Sequence, residues 1–317
     1  METQIGINAH ATRQVEHYGL IGQAGIKWAR LTFDWSIIEQ REGNYNFGAF
    51  EDAVNRLRAM GVEIFVSLAY TPNWLGKPHG GRPTRRGPWE RFVETSVSRF
   101  KDRVHYWGLW NEPNLQNNWD GSPEEFRDII IIPGYAAAKH ADNTCTVLGP
   151  ELVCVKEWWK WFTIIATGAG AGSVDIVSLH IYEYRGPDLA LKKLTKGAEG
   201  YGDLIPSWLR WLKPFFPQSQ SIKDVLINVG WGNKPLWLTE IGWETKGTAS
   251  QRPVSDEQQA QFCLEMCQRV KNGEGQLGAV FFYEFIDDPN TSIPPWGLVR
   301  ANGTPKASWQ ALQKGIA

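Results

Sequence analysis

The 317-residue chain has only 4 cysteines and 6 histidines, and neither set forms a site motif. No Cys-x-x-Cys pair occurs, and so few cysteines in a chain of this length do not make a disulfide scaffold. We expect them to be buried thiols. The absence of His-x-His and His-Glu-x-x-His arrangements argues against a metal hydrolase. We therefore predict a protein that uses no metal and no cofactor.

The chain also lacks an excess of charge and a long apolar run. Lys plus Arg number 33 and Asp plus Glu number 34, so the formal net charge is −1. This balance argues against a nucleic-acid partner or a polybasic membrane surface. The longest apolar stretches, such as Ile129–Ile132, are far shorter than the ~20 residues that span a bilayer. No basic segment followed by an apolar run opens the sequence, so we expect no signal peptide within it.

Motifs for nucleotide binding and serine hydrolysis are absent, whereas tryptophan is abundant. The glycine-rich segment Gly168–Gly172 follows a predicted helix and precedes a predicted strand, the reverse of a dinucleotide-binding turn. No Gly-x-Ser-x-Gly elbow and no phosphate-binding loop occurs. The 17 tryptophans fit core packing, and their flat rings also suit stacking against sugars.

Short β-branched or aromatic runs alternate with amphipathic stretches in eight rounds along the chain. This alternation indicates parallel strands joined by crossover helices, and eight units favour a closed α/β barrel, the (β/α)8 or TIM barrel, over an open sheet. No change of composition marks a second domain, so we expect residues 1–317 to form one domain with a long sixth βα loop at about 183–234. The predicted strands are Gln4–His10, Ile26–Phe33, Val62–Tyr70, Val104–Trp110, Thr146–Pro150, Val174–Tyr182, Pro235–Ile241 and Gly278–Phe285.

Function in such a barrel lies at the carboxyl ends of the strands. Two of the strand-end glutamates have informative neighbours, Glu112 in Trp110–Asn114 (WNEPN) and Glu240 in Leu238–Trp243 (LTEIGW). Strands four and seven lie on opposing parts of the rim, so the two carboxylates can face each other across a bound sugar ring. A retaining glycosidase needs its two carboxyl groups only ~5 to 5.5 Å apart.

These motifs resemble the large clan of retaining glycoside hydrolases built on (β/α)8 barrels, and the likeness covers most of the chain. Within that clan, Gly25–Trp35 (GIKWARLTFDW) and Leu68–Trp74 (LAYTPNW) are similar to glycoside hydrolase family 39. The resemblance implies that Glu112 is the acid/base and Glu240 the nucleophile. It also implies four supporting residues: Arg30 to keep the nucleophile ionised, Asn111 to bind the sugar 2-hydroxyl, and His180 and Tyr182 to orient Glu240.

The sugar platform is less defined by this resemblance, because many clan members carry a tryptophan at strand eight where this chain has Phe281–Glu284 (FFYE). Tryptophans in predicted βα loops can stack on a pyranose instead. By contrast, Trp158, Trp159 and Trp161 are expected to pack a helix onto the barrel, as are Trp208 and Trp211 in the sixth loop. The residues expected to contact substrate are Trp35, Tyr70, Trp74, Trp119, Trp243, Tyr283, Glu284 and Trp296.

The leading hypothesis is a retaining glycosidase that cleaves β-linked polysaccharide or oligosaccharide, with its loop aromatics favouring endo action. An exo-acting β-xylosidase is the alternative, since the long sixth loop could block one end of the cleft. A non-catalytic glycan-binding barrel is the alternative from another class. Because enzymes that act on large polymers work outside the cell, we expect secretion with the leader removed, and cytoplasmic action is the other possibility.

Overall fold

A computed structural model describes residues 3–155, 158–195 and 221–317. Its eight strands are all parallel and each pairs with the next, with β8 closing onto β1, so the sheet is a closed barrel. The TIM-barrel prediction is confirmed, and each strand lies within two residues of its predicted start. The strands are β1 (Gln4–Asn8), β2 (Trp28–Asp34), β3 (Glu63–Ala69), β4 (Tyr106–Leu109), β5 (Thr146–Val153), β6 (Ile176–His180), β7 (Leu236–Ile241) and β8 (Ala279–Phe282).

Helices follow the strands and cover the outside of the barrel. Several begin at a serine whose side chain accepts the backbone N–H of the third helical residue, as Ser122 and Ser255 do. A π-helical segment, Arg127–Ile131, joins α5 to α6. The described α-helices are α1 (Gly19–Gln23), α2 (Trp35–Ile38), α3 (Gly48–Ala59), α4 (Pro88–Phe100), α5 (Pro123–Phe126), α6 (Ile132–Ala141), α7 (Trp158–Ala166), α8 (Pro187–Thr195), α9 (Ile222–Asn228), α10 (Asp256–Lys271) and α11 (Ala307–Ile316).

A cluster of side chains from several strands fills the barrel interior. Phe65 on β3, Trp237 on β7 and Phe281 on β8 have ring centroids 5.9 to 6.3 Å apart, so they meet across the barrel axis. Alternate residues of a strand face the same side. Ser67 therefore points inward one layer above Phe65, and Arg30 does so above Trp28. The aromatic layer thus forms the floor beneath the polar groups at the carboxyl ends of the strands.

The tryptophans of α7 and the four cysteines agree only in part with the environments that the sequence predicts. Trp158 and Trp161 pack against the core, but Trp159 is 47% exposed, so the expectation that it packs on the barrel is wrong. Its position on α7 turns it away from the sheet. All four cysteines are free, and three are buried while Cys154 is partly buried. Trp208 and Trp211 lie outside the described residues. Among the described helices, none combines the length and apolar character that a membrane span requires.

Candidate active site

A cavity of about 690 Å³ opens at the carboxyl ends of the strands. This is the end of a (β/α)8 barrel that holds the functional groups, and the volume is within the usual range for ligand sites. Every strand-end region of the barrel contributes to the wall. Among the lining residues are eight of the predicted site residues: Arg30, Tyr70, Asn111, Glu112, Tyr182, Glu240, Tyr283 and Trp296.

Glu112 and Glu240 face each other here, with His180 between them. One ligand atom from each of the three side chains lies within 4.8 Å of the others. His180 Nδ1 is 2.8 Å from Glu112 Oε1 and 3.5 Å from Glu240 Oε2. The Tyr182 hydroxyl donates a hydrogen bond to Glu240 Oε2. A shift of register between β6 and β7 pairs His180 with Glu240, which brings the two strand ends together.

Arg30 is the centre of the polar layer and is only 3% exposed. Its guanidinium presents donors in a fixed planar fork, so one side chain can reach groups on several strands. It contacts two carboxylates at short range, and both pairs are buried. Its bonds run from Nε to Ser67 Oγ (3.0 Å), from Nη1 to Asn8 Oδ1 (2.8 Å) and Glu240 Oε1 (2.7 Å), and from Nη2 to Asn111 Oδ1 (2.7 Å) and Glu151 Oε2 (2.6 Å).

Asn111 is held on both sides of its amide. Its Oδ1 accepts the Arg30 bond, and its Nδ2 donates to the Tyr70 hydroxyl at 2.9 Å. These two bonds assign the amide orientation. A primary amide has two N–H donors, so one remains for a ligand in the cavity.

Glu151 and Asn8 are the site residues to which the sequence analysis gave no role. Glu151 is fully buried and follows a bulge in β5, where the pairing with β6 shifts between Pro150 and Leu152. The predicted strand stopped at Pro150, so the inward turn after it was not foreseen. Asn8 stands at the end of β1 and donates to Thr239 O at 3.0 Å. A polar residue ending a strand was the available signal in both cases.

The backbone at and beside Glu112 and Glu151 is unusual. Trp110, Glu112 and Glu151 have φ values of 81°, 46° and 51°, in the left-handed region that side chains other than glycine rarely adopt. Such residues cost roughly 1 to 3 kcal/mol each and cluster at functional sites. Two bonds between Asn114 and the backbone of Val153, 2.8 and 3.1 Å long, fix the loop after β4 to β5. The loop conformation that presents Glu112 is therefore determined by its neighbours.

The electrostatics of the centre are dominated by burial and by paired charges. Burial disfavours the protonated form of His180. The carboxylates of Glu240, Glu112 and Glu151 favour that form more strongly, so the pKa of His180 is raised to about 9. Burial likewise raises the pKa of Glu240, while His180 and Arg30 oppose that rise. Arg30 thus acts on the pKa of Glu240 in the expected direction, although desolvation by burial is the larger effect.

Glu112, His180 and Glu240 are also the one group of described residues whose ligand atoms are close enough to share a metal ion. The chemistry of the surroundings disfavours a cation there. Arg30 already binds Glu240, and the raised pKa of His180 adds a second positive charge beside both carboxylates. The use of no metal and no cofactor stays a prediction.

Four of the tryptophans expected to contact substrate do not line the cavity; burial corrects the expectation for Trp35, Trp119 and Trp243, and for Trp74 it stays a prediction. Trp35, Trp119 and Trp243 are at most 2% exposed. Their indole N–H groups donate within the protein, those of Trp119 and Trp243 to backbone carbonyls, and their rings pack against other aromatic side chains. Trp74 is partly buried edge-on to Trp35, and Arg85 lies over its ring. Trp89, whose ring centroid lies 5.6 Å from that of Trp35, is buried as well.

The β8 side of the cavity carries the aromatic residues that remain candidates for substrate contact. Trp296 and Tyr283 both line the cavity, and Tyr182 packs edge-on against Trp296 with centroids 5.1 Å apart. Glu284 is fully buried and does not line the cavity, so the expectation that it contacts substrate directly is wrong. Its carboxylate instead contacts His10, which lines the cavity, at 2.5 Å.

Two other carboxylates near the centre, Asp34 and Glu183, have structural roles. Asp34 lines the cavity and accepts hydrogen bonds from the Ser36 N–H and hydroxyl at the start of α2. Glu183 pairs with Arg185 at 3.0 Å and Lys193 at 3.3 Å. Each therefore holds a loop beside the centre.

Comparison with known proteins gives matches at the level of sequence and of fold. A family model described as β-galactosidase, glycoside hydrolase family 42, matches residues 9–86. A β-xylosidase from Geobacillus stearothermophilus is 26% identical over 293 residues, which is 84% of this chain and 55% of that protein. The chain spans between 10% and 55% of the length of the curated relatives that it matches.

Solved structures match over nearly the whole chain. A monomeric β-xylosidase from Caulobacter crescentus CB15 superposes with a TM-score of 0.71 at 18% identity, covering 99% of this chain and 68% of that one. At 18% identity this likeness shows the fold alone. A family 39 glycoside hydrolase from Bacteroides cellulosilyticus WH2 has a TM-score of 0.69 at 20% identity, covering 99% of this chain and 63% of that one. The likeness to family 39 inferred from the motifs thus extends to the fold.

Proposed function

We propose that this protein hydrolyses β-glycosidic bonds by double displacement, with retention of anomeric configuration. The observation that carries the proposal is the approach of the Glu112 and Glu240 carboxylates, whose nearest ligand atoms lie within 4.8 Å of each other. Retaining enzymes hold the two groups ~5 to 5.5 Å apart, whereas inverting enzymes separate them by ~6.5 to 9.5 Å to admit a water molecule. The separation here suits direct attack by one carboxylate.

In the first step Glu240 attacks the anomeric carbon as the glycosidic bond breaks, and Glu112 gives its proton to the leaving oxygen. In the second step Glu112 removes a proton from water, which attacks the same carbon and releases Glu240. Hydrogen bonds from Arg30 and Tyr182 aim the two oxygens of Glu240. Asn111, with one N–H free, would bind the sugar 2-hydroxyl, a contact that strengthens as positive charge develops on the ring.

The nucleophile assignment is tested with Glu240→Ala and Glu240→Gln. We expect turnover of an aryl β-glycoside to be nearly abolished, and azide to restore product formation in Glu240→Ala as the glycosyl azide of inverted configuration, detected by NMR. The matched control is Glu244→Gln, because Glu244 is a buried glutamate outside the cavity that accepts a backbone N–H from Gln251 at 2.8 Å. Normal hydrolysis by both Glu240 variants would refute the assignment.

The polymer-cleaving mode favoured by the sequence rested on aromatic subsites along several loops. With Trp35, Trp74, Trp119 and Trp243 outside the cavity wall, the described geometry supports a short site better, and with it the alternative of exo action on a β-xyloside or related β-glycoside. The similarity to β-xylosidases points the same way. An oligosaccharide ladder distinguishes the modes, since exo action releases only monosaccharide and endo action releases longer fragments.

The alternative of a non-catalytic glycan-binding barrel predicts carbohydrate binding without new reducing ends. A reducing-sugar assay over a panel of β-linked oligo- and polysaccharides tests it directly. Action outside the cell remains part of the proposal. It is checked by locating the native protein in fractionated cultures.

A further inference from the structure

One buried carboxylate at the centre takes no part in either step of the proposed reaction. Glu151, at the bulge of β5, is fully buried, and a buried charge is costly unless it is paired. Its Oε2 accepts from Arg30 Nη2 at 2.6 Å, and the Ser67 hydroxyl contacts both carboxylate oxygens at 2.8 Å. Its backbone N–H donates to Ser178 Oγ at 3.2 Å.

The barrel is shaped to hold this carboxylate. A Cβ atom added to Gly108 on β4 would lie 1.9 Å from Glu151 Oε1 and 3.0 Å from the Phe65 ring, so any larger residue would displace the carboxylate. The backbone carbonyl of Glu151 also accepts the N–H of Glu112 at 3.0 Å. Glu151 is therefore joined to the acid/base through its backbone as well as through the side chains around it.

Glu151 also faces the side of His180 that is turned away from Glu112. His180 Nε2 lies 3.6 Å from Glu151 Oε2, a distance at which charges interact although a hydrogen bond is not made, and this buried nitrogen has no other partner. The opposite nitrogen, Nδ1, binds Glu112 at 2.8 Å. An imidazole with a carboxylate beside each nitrogen is stabilised when both nitrogens carry a proton.

Three carboxylates thus surround two cations. His180 is faced by Glu112 from the loop after β4, Glu151 from β5 and Glu240 from β7, while Arg30 from β2 pairs with the last two. In the proposed reaction Glu240 becomes an ester of the sugar and loses its charge. Glu151 does not line the cavity and takes no part in either step, so it keeps its charge in that intermediate.

We propose that Glu151 is a positioning residue that keeps His180 charged and holds Arg30 and His180 in place throughout the reaction, including the step in which Glu240 is esterified. The inference rests on the proposed function for its catalytic consequence, but the effect on His180 does not. Removing the charge of Glu151 should ease loss of the proton from His180 and slow breakdown of the glycosyl-enzyme more than its formation.

The test compares Glu151→Gln with Ser67→Ala. The second variant removes a hydroxyl that bonds the same carboxylate and Arg30, but it leaves every charge in place. The protonation of His180 is followed by the ¹⁵N shifts of its ring against pH, and glycosyl-enzyme breakdown by the burst of first-turnover product. In Glu151→Gln we expect the proton affinity of His180 to fall by about 10-fold or more, since an opposite charge within ~4 to 6 Å changes it by ~10- to 1,000-fold.

In Ser67→Ala we expect the His180 titration to stay close to that of the wild type. If His180 titrates alike in the wild type and in Glu151→Gln, the proposal is overturned, whatever happens to activity. Should Glu151→Gln fail to fold, Glu151→Asp draws the carboxylate back by one methylene group, and an unchanged titration there overturns the proposal equally. An inactive wild type would instead refute the proposed function, and the titration would still decide the role of Glu151.

Discussion

Replacing Arg30 by lysine tests the polar layer most directly, because it keeps the positive charge and removes the fork. The guanidinium makes five hydrogen bonds, whereas an ammonium has three donors, so at least two acceptors lose their partner. Glu151 and Glu240 are bound by different guanidinium nitrogens. A buried acceptor left without its partner costs ~1 to 3 kcal/mol, so with two acceptors affected we expect Arg30→Lys to lose roughly 2 to 6 kcal/mol of stability.

Activity should fall as well, since Glu240 would lose the bond that aims it. A misplacement of about 1 Å in a reacting group can cost ~100-fold in rate, so we expect kcat/KM to drop by about 100-fold or more. Urea unfolding and steady-state kinetics measure the two effects. Arg82→Lys is the control, because its pair with Glu125 is 44% and 41% exposed and should change stability by no more than ~0.5 kcal/mol. Unchanged unfolding and unchanged kcat/KM in Arg30→Lys would refute the reasoning.

Trp35→Ala should cost ~3 to 5 kcal/mol in urea unfolding and leave KM unchanged, because the ring is buried in the core. Trp296→Ala should raise KM with a smaller loss of stability, because that ring lines the cavity, and the reverse pattern would contradict the assignment of the two rings. The pKa of His180 is raised from 6.5 to about 9, so its protonated form stabilises the fold fully below pH 6.5. That contribution is lost as pH rises through 9, and the difference in unfolding free energy between wild type and His180→Gln should shrink over this interval.

The barrel and the position of its centre follow from the sequence because both depend on periodicity. Strands of a parallel barrel read as short apolar runs, and a polar residue that interrupts the end of such a run must lie at the carboxyl rim. Glu112, His180 and Glu240 could be placed at one site on that basis, and the family resemblance added Arg30.

Side-chain direction beyond a strand end could not be predicted in the same way. Trp35 and Trp243 stand in βα loops by sequence, yet local backbone turns them into the core, where each indole N–H finds an acceptor. Glu151 was given no role because the predicted fifth strand ended at Pro150, one residue before it. The β5 bulge adds a residue that no regular alternation anticipates, and it turns the carboxylate inward.

The aromatic floor formed by Phe65, Trp237 and Phe281 closes one end of the cavity, which limits how water and product alcohol can enter and leave it. Because rings occupy the axis of the barrel, in the proposed reaction the hydrolytic water would enter through the same opening of the cavity by which the alcohol leaves. Alcohols present at high concentration would then compete with water for the glycosyl-enzyme, and sugar transfer to such acceptors should rise with their concentration.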